Sequence, residues 1–232
     1  MKKFIWSIIA LLVLVLIYDG AIALYNYFVP RVSTLPDIDM SPIPIHDKQI
    51  QDETDTYTIN IIYPETNQDF INQDINNFIY KEIANFKQAI TLQTNPVEAN
   101  WQYTLFIRYD TVYNERTIVS FKFEIEQFLG GAHPTHLIVA KNYNWFLKRI
   151  YTIDTAIPGQ ETLDKIAKVA LDYFQNMPKD WELFPEGLAP KIENYQTFNM
   201  TPDSCIFYFQ EAQIAPYSAG PQQIEIKWSE IQ

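Results

Sequence analysis

The fold is decided by the stretch WQYTLFIRYDTVYNERTIVSFKFEIE, residues 101–126. From Trp101 to Tyr109 apolar and aromatic residues alternate with mostly polar ones, and the same two-residue period returns from Val119 to Glu126. Such alternation is typical of strands that bury one face and expose the other. We therefore predict two antiparallel strands joined near Asn114.

Helical periodicity is found on both sides of this strand pair. Apolar residues recur every three or four positions from Ile71 to Ile90, which predicts a helix that begins after an N-cap at Asn67. The same spacing predicts a second helix from Glu161 to Met177, ending before Pro178.

Strand-like sequence fills most of the remaining chain. The predicted strands are Tyr57–Tyr63, Thr135–Phe146, Arg149–Ile153, Ser204–Gln210 and Gln223–Trp228. Helices interspersed among antiparallel strands indicate an α+β fold, with a mostly antiparallel sheet and two main helices packed on it. We assign residues 55–232 to one such domain, because a segment of this length can bury a sizeable core.

Residues 1–29 are predicted to be a membrane segment. Two lysines precede the apolar run Phe4 to Tyr18, and positive charge stays on the cytoplasmic side, so the domain that follows is expected outside the cytoplasm. Apolar and aromatic residues resume up to Val29, which favours an uncleaved, single-pass transmembrane anchor in the cell membrane. The alternative is a signal segment cleaved near Ala23, at an Ala-x-Ala site, with a secreted product.

Prolines punctuate the polar, acidic stretch that follows the membrane segment. Pro30, Pro36, Pro42 and Pro44 remove backbone donors and favour extended conformations. We therefore interpret residues 30–54 as a Pro-rich stalk.

Composition restricts the partners. The chain has 17 Lys+Arg against 28 Asp+Glu, a formal net charge of −11. A nucleic acid needs a basic surface, so it is excluded, whereas a cationic partner would be attracted. The single cysteine, Cys205, cannot form an intrachain disulfide, and its alternation with Phe207 and Phe209 indicates a buried, inert thiol.

Two adjacent glycines, Gly130 and Gly131, interrupt strand-like sequence and permit positive φ angles, which predicts a tight turn or bulge. The turn lacks the spacing of a nucleotide-binding loop. His133 and His136 follow closely, but on an extended strand they face opposite sides, and no second group of ligands is present. We predict no metal site and no cofactor.

A second unusual loop carries Pro216 and Tyr217 among small residues. Proline fixes φ, and Tyr217 offers an amphipathic surface of the kind that anchors interfaces. The alternative is that Tyr217 closes the end of the core. Ser218 has no nucleophile-elbow sequence around it, so we predict no catalytic residue there.

An enzymatic alternative needs two carboxylates that converge in a cleft, about 5 to 10 Å apart. The candidates are Glu124, Glu126 and Glu211. Each alternates with apolar residues on a strand, so we expect them to face solvent.

The two loops together carry a family resemblance. FLGGAHPTH at residues 128–136 is followed by YFQEAQIAPYSAG at 208–220 and by IEIKWSEI at 224–231. This combination resembles the extracellular domain of the RsiV anti-sigma factors, which is also found ahead of the catalytic domain in PdaC-type peptidoglycan deacetylases. The resemblance implies an α+β module with helices on a sheet, and in the anti-sigma branch that module binds lysozyme. The binding residues it implies here are Gly130, Gly131, Ala132, His133, Ala215, Pro216, Tyr217, Ala219 and Gly220.

Two departures limit what the resemblance implies. Three residues before the apolar run cannot form a sigma-binding domain, and the Asp-Asp pair and His-x-x-x-His motif of the deacetylases are missing. We therefore expect a membrane-tethered, non-catalytic binding module, whose partner is lysozyme, another cationic protein or peptidoglycan. A cell-wall-acting hydrolase and an accessory envelope protein stay open as alternatives.

Overall fold

A six-stranded sheet in the computed structural model follows the order of the chain. Its strands are β1 (Ile45–Glu53), β2 (Tyr57–Thr66), β3 (Tyr103–Glu115), β4 (Ile118–Phe128), β5 (Thr135–Asn144) and β6 (Arg149–Tyr151). Neighbouring strands are antiparallel except β2 and β3, which are parallel. Helix α1 (Asp69–Thr91) lies between those two in the chain, because parallel neighbours need a crossover.

The structure describes residues 41–92 and 102–231. The predicted membrane segment, the stalk up to residue 40 and Trp101 lie outside the described residues. None of the helices within these two ranges has both the length and the apolar character needed to span a bilayer.

Helix α1 covers one face of the six-stranded sheet. Ile71, Ile75, Ile79 and Phe86 of this helix are at most 1% exposed. They belong to one core with alternate residues of the central strands, namely Ile59, Ile61, Leu105, Ile107, Val119, Phe121, Phe123 and Ile125. The alternation that predicted β3 and β4 therefore marks the face beneath the helix.

The start of α1 differs from the prediction. Gln68 occupies the N-cap, without a side-chain cap, whereas Asn67 had been predicted there. The side chain that bonds to the preceding backbone lies in the first helical turn instead. Asn72 accepts a hydrogen bond from Thr66 N and donates one to Thr66 O, each at 2.8 Å. This amide ties the end of β2 to the helix.

Strand β1 corrects the predicted stalk of residues 30–54. Residues 45–53 pair antiparallel with β2, from Ile45 opposite Thr66 to Glu53 opposite Thr58. The sequence IHDKQIQDE is polar because β1 is an edge strand, where charged side chains face water and discourage further strand pairing.

A second, three-stranded antiparallel sheet lies in the C-terminal part. It contains β7 (Phe198–Met200), β8 (Ser204–Phe209) and β9 (Gln222–Lys227). The short helix α2 (Ile153–Ala156) and the longer helix α3 (Gln160–Asn176) precede it, with 3-10 turns at Pro185–Leu188, Ile192–Tyr195, Tyr217–Ala219 and Trp228–Glu230.

This second sheet has its own core. Leu163, Ile166, Ala170 and Phe174 of α3 share that core with Tyr195, Phe198, Cys205, Phe207, Phe209 and Ile226. Cys205 is 1% exposed, and burial raises the pKa of its thiol, as expected of an inert side chain. The fold is thus α+β with two main helices, but each helix has a separate sheet.

A buried amide joins the two sheets. Asn142 Oδ1 on β5 accepts hydrogen bonds from Met200 N at 3.0 Å and from Asn199 Nδ2 at 3.3 Å. Its Nδ2 donates to Phe198 O at 2.7 Å. The Ser120 hydroxyl lies 2.8 Å from the same Oδ1. Asn142 is 1% exposed, so these bonds are formed away from water.

Gln210 makes a second link of the same kind. Its Oε1 accepts from Ile138 N and its Nε2 donates to Ile138 O, each at 2.9 Å. This side chain therefore satisfies backbone groups of β5 that β6 does not reach, since β6 pairs only with residues 142–144.

We predict that Asn142→Ala lowers the free energy of unfolding by about 3 kcal/mol, because it leaves buried donors and an acceptor without partners. Urea unfolding followed by tryptophan fluorescence measures this. Asn77→Ala, on the exposed face of α1, is the control and should change stability by less than about 0.5 kcal/mol. A loss below about 1 kcal/mol for Asn142→Ala would contradict the role of Asn142 as a buried link between the two sheets.

Candidate binding groove and its two loops

The glycine turn connects β4 to β5. Gly130 and Gly131 have φ angles of +86° and +119°, which side chains rarely adopt. Gly130, Gly131, Ala132 and His133 are all exposed at the surface. The chain reverses here without a side chain in the way, which leaves His133 at the tip of the turn.

The second loop packs against this turn across 83 residues of chain. The rings of His133 and Tyr217 lie 4.5 Å apart between centroids, at an interplanar angle of 31°. The Tyr217 hydroxyl donates a hydrogen bond to Pro134 O at 2.9 Å. Residues 130–134 and 215–220 therefore form one surface, which we call the loop pair.

Members of the second loop differ in their exposure. Tyr217 is 39% exposed, which favours the surface interpretation over a core plug. Pro216 and Ala219 are half-buried, and Gly220 has a φ angle of +66°. Ala215 is 1% exposed and belongs to the second core, so its side chain supports the loop from below.

A groove of about 570 Å³ lies beside the loop pair, on the sheet face opposite α1. The groove receives side chains from four strands of the large sheet and from the segments that flank the loop at 215–220. It is lined by Asn60, Ile62, Phe106, Ile107, Arg108, Glu124, Ile125, Glu126, His136, Leu137, Ile138, Glu211 and Pro221.

One row of side chains crosses the floor of the groove. Asn60 is opposite Phe106, Phe106 opposite Glu126, and Glu126 opposite His136. Strands lie about 4.8 Å apart, so the row spans about 14 Å. It combines an amide, an aromatic ring, a carboxylate and an imidazole in an open channel.

Apolar side chains are unusually exposed here. Ile62, Phe106 and Leu137 are 38%, 37% and 44% exposed. A large aromatic side chain left open beside polar groups is a common property of ligand sites.

Glu124 is neutralised by basic neighbours. Its carboxylate lies 2.6 Å from Arg108 Nη2 and 2.9 Å from Lys122 Nζ. The hydrogen bond from Lys122, and next the one from Arg108, lower the pKa of this carboxyl group. Glu124 therefore stays ionised and is a poor proton donor.

The other two carboxylates converge on His136. Glu126 Oε2 lies 3.7 Å from His136 Nδ1, and Glu211 Oε2 accepts a hydrogen bond from His136 N at 3.4 Å. Glu211 also interacts with Tyr217 of the loop pair: partial desolvation, and next the hydrogen bond with this carboxylate, raise the pKa of the Tyr217 hydroxyl. The groove and the loop pair are thus continuous.

Glu124, Glu126 and Glu211 face solvent, as expected, and the structure also brings all three to one groove. The two histidines separate: His133 stacks on Tyr217, and His136 faces Glu126. Among the residues that the structure describes, no group of three or more His, Cys, Asp or Glu is placed to hold a metal ion.

Sequence reasoning missed the apolar part of the site. Ile62 and Phe106 occupy positions of their strands where the alternation predicts polar residues. This departure from the pattern could have indicated an apolar patch on the exposed face of the sheet. Leu137 and Asn60 carried no such signal, because their place in the groove depends on strand register.

Two family models match adjacent parts of the chain. The model described as "Deacetylase PdaC" matches residues 50–136, and "Protein of unknown function (DUF3298)" matches residues 156–229. The first match contains the glycine turn and the second contains Tyr217. The resemblance drawn from the two loops is confirmed.

Three relatives illustrate the range of similar proteins. The chain is 27% identical over 183 residues to the peptidoglycan-N-acetylmuramic acid deacetylase PdaC of Bacillus subtilis, covering 76% of this chain and 38% of that protein. It is 35% identical over 108 residues to Esterase Rv3036c of Mycobacterium tuberculosis, covering 45% of this chain and 47% of the relative. It is 29% identical over 189 residues to Immunogenic protein MPB64 of Mycobacterium bovis, covering 79% of this chain and 80% of that protein. The chain thus spans less than half the length of PdaC and of the esterase.

Solved structures share the fold. A DUF3298 family member from Bacteroides fragilis matches with a TM-score of 0.54 at 15% identity, over 82% of this chain and 93% of that one. A DUF3298 family protein from Pseudomonas aeruginosa matches with a TM-score of 0.50 at 15% identity, over 83% of this chain and 93% of that one. At this identity the likeness concerns the fold alone.

We predict that Tyr217→Phe loosens the loop pair while the ring contact with His133 is kept. Loss of the hydrogen bond to Pro134 O should cost about 1 kcal/mol locally, so amide exchange at residues 130–136 should be about fivefold faster. Hydrogen exchange measured by mass spectrometry gives this rate. Unchanged exchange there would contradict the contact.

Proposed function

We propose that this chain, whose domain is of the PdaC/DUF3298 type, is an extracytoplasmic, non-catalytic binding module that recognises cell-wall glycan. In this proposal residues 1–29 tether the module to the membrane. The loop pair and the groove form its recognition surface. The two family matches suggest an extracellular, cell-wall-related domain, and the relative PdaC is named for an activity on peptidoglycan.

The observation that carries this proposal is the row Asn60, Phe106, Glu126 and His136 in the groove. A sugar ring has apolar faces and a rim of hydroxyls. Phe106 offers a face for stacking, while its polar neighbours offer donors and acceptors for hydroxyls. An open channel about 14 Å long suits a segment of a polymer rather than an enclosed small molecule.

A cationic protein such as lysozyme is the second candidate partner. The net charge of −11 would attract it, and the exposed Tyr217 is the kind of side chain that anchors a protein interface. In that case the loop pair would form the centre of the contact.

A hydrolase acting on the cell wall is the catalytic alternative, and the convergence of Glu126 and Glu211 at His136 is the observation in its favour. The non-catalytic proposal is supported by the ion pairs of Glu124, which keep that carboxylate charged. Among the described residues, no serine, threonine or cysteine lines the groove as a nucleophile.

We predict that Phe106→Ala weakens binding of the full-length chain to soluble peptidoglycan fragments at least tenfold, because it removes the stacking surface. Titration calorimetry of detergent-solubilised protein measures the affinity. Tyr80→Ala, which removes an exposed aromatic ring from α1, should leave it unchanged.

Three results would contradict the proposal. The first is that the wild-type chain fails to bind peptidoglycan fragments. The second is that it binds lysozyme through Tyr217, and that Phe106→Ala has no effect on this binding. The third is that chromatography of the incubated fragments shows cleavage or deacylation by the purified chain.

A further inference from the structure

Two carboxylates in the groove lie against His136 rather than against a lysine or arginine. Among residues 41–92 and 102–231, Glu126 and Glu211 form no ion pair with a lysine or arginine, although Glu124 beside them is paired with Arg108 and Lys122. His136 lies between Glu126 and Glu211 and carries a charge only when protonated. The groove therefore presents a net negative charge next to the exposed ring of Phe106.

We infer that the groove selects glycan whose amino sugars carry a free amino group, in preference to the N-acetylated form. This inference rests on the proposed glycan-binding function and specifies its substrate class. The ammonium group of one sugar would bind beside His136, where the carboxylates of Glu126 and Glu211 converge, while the ring of that sugar or of its neighbour stacks on Phe106.

Charge complementarity supports this occupant. An ammonium group has three N–H donors and forms charge-assisted hydrogen bonds with carboxylates, which are roughly twice as strong as neutral ones. An acetamide at the same carbon has one N–H donor, no charge and an added methyl group. Both carboxylates would then be partly desolvated without a compensating cation, which disfavours binding.

The other side chains of the groove favour an amino sugar over a lysine side chain. A lysine would use the two carboxylates and make no use of Asn60, at the far end of the row. A glycan places hydroxyls along its whole length, so it can use the amide, the guanidinium and the imidazole on either side of Phe106. One ligand thus accounts for both the exposed ring of Phe106 and the two carboxylates that lack a lysine or arginine partner.

The test compares two matched glycan tetramers and a cationic peptide on the full-length, detergent-solubilised chain. Titration calorimetry at low salt is performed with a glucosamine tetramer, with an N-acetylglucosamine tetramer and with tetralysine. The wild-type chain should bind the glucosamine tetramer at least tenfold more tightly than the other two. The preference should shrink as salt is added, because the pairing is electrostatic and the site is open.

Variants separate the groove from the general acidity of the chain. Glu126→Gln and Glu211→Gln keep the side-chain shape and should each reduce affinity for the glucosamine tetramer at least fivefold, with little change for the acetylated tetramer. Glu161→Gln is the control, because this carboxylate on α3 is 88% exposed and lies outside the groove. Circular dichroism verifies that each variant is folded.

The failure modes are distinguishable. Equal or tighter binding of the acetylated tetramer overturns this inference and leaves the proposed function standing. Equal effects of all three substitutions, or equally tight binding of tetralysine, also overturn it, since attraction would then come from overall charge. Absence of binding to either tetramer overturns both the inference and the proposed function.

Discussion

The candidate site depends on the buried hydrogen bonds of Asn142, because they join two separately packed layers. The core beneath α1 and the core beneath α3 are distinct hydrophobic clusters. Buried amide and hydroxyl groups link the two, with Asn142 bound to Phe198 O, Met200 N and Asn199. Directional bonds of this kind define one relative position, whereas an apolar contact tolerates sliding. Glu211 and Pro221 reach the groove because the second sheet is held in that position.

The groove exists because helix α1 covers one face of the large sheet, whereas the second sheet covers only part of the other face, at Ser120 and Asn142. Helix α1 buries the alternate residues Ile59, Leu105 and Phe123, and the opposite face carries both polar side chains and the exposed Phe106. The segments around residues 211 and 221 give that face a wall, and the contact of His133 with Tyr217 holds the loop pair beside it. The first family match, 50–136, contains most of the residues that line the groove, and the second, 156–229, contains Glu211 and Pro221.

Sequence predicted what local periodicity encodes. Strands β3 and β4, both main helices and the positive φ angles of the glycine turn follow from alternation, helical spacing and the absence of a β-carbon. Strand β1 was missed because an edge strand resembles a polar linker in sequence. The parallel pairing of β2 with β3 and the division into two sheets were missed because they are set by contacts across the chain. Contacts between distant parts of the chain also bring the two loops together, so the sequence predicted them only as separate loops. It did not predict that Glu126, His136 and Glu211 lie close to one another.

The central claim is that the groove and the loop pair bind glycan as one surface. Hydrogen exchange of the full-length chain, measured with and without peptidoglycan fragments, tests it most directly. The account predicts slower exchange on binding at residues 104–108, 124–138 and 211–221 together, with α1 and α3 unchanged. Protection limited to the helices or to β6, or protection of the loop pair without the groove strands, would contradict it.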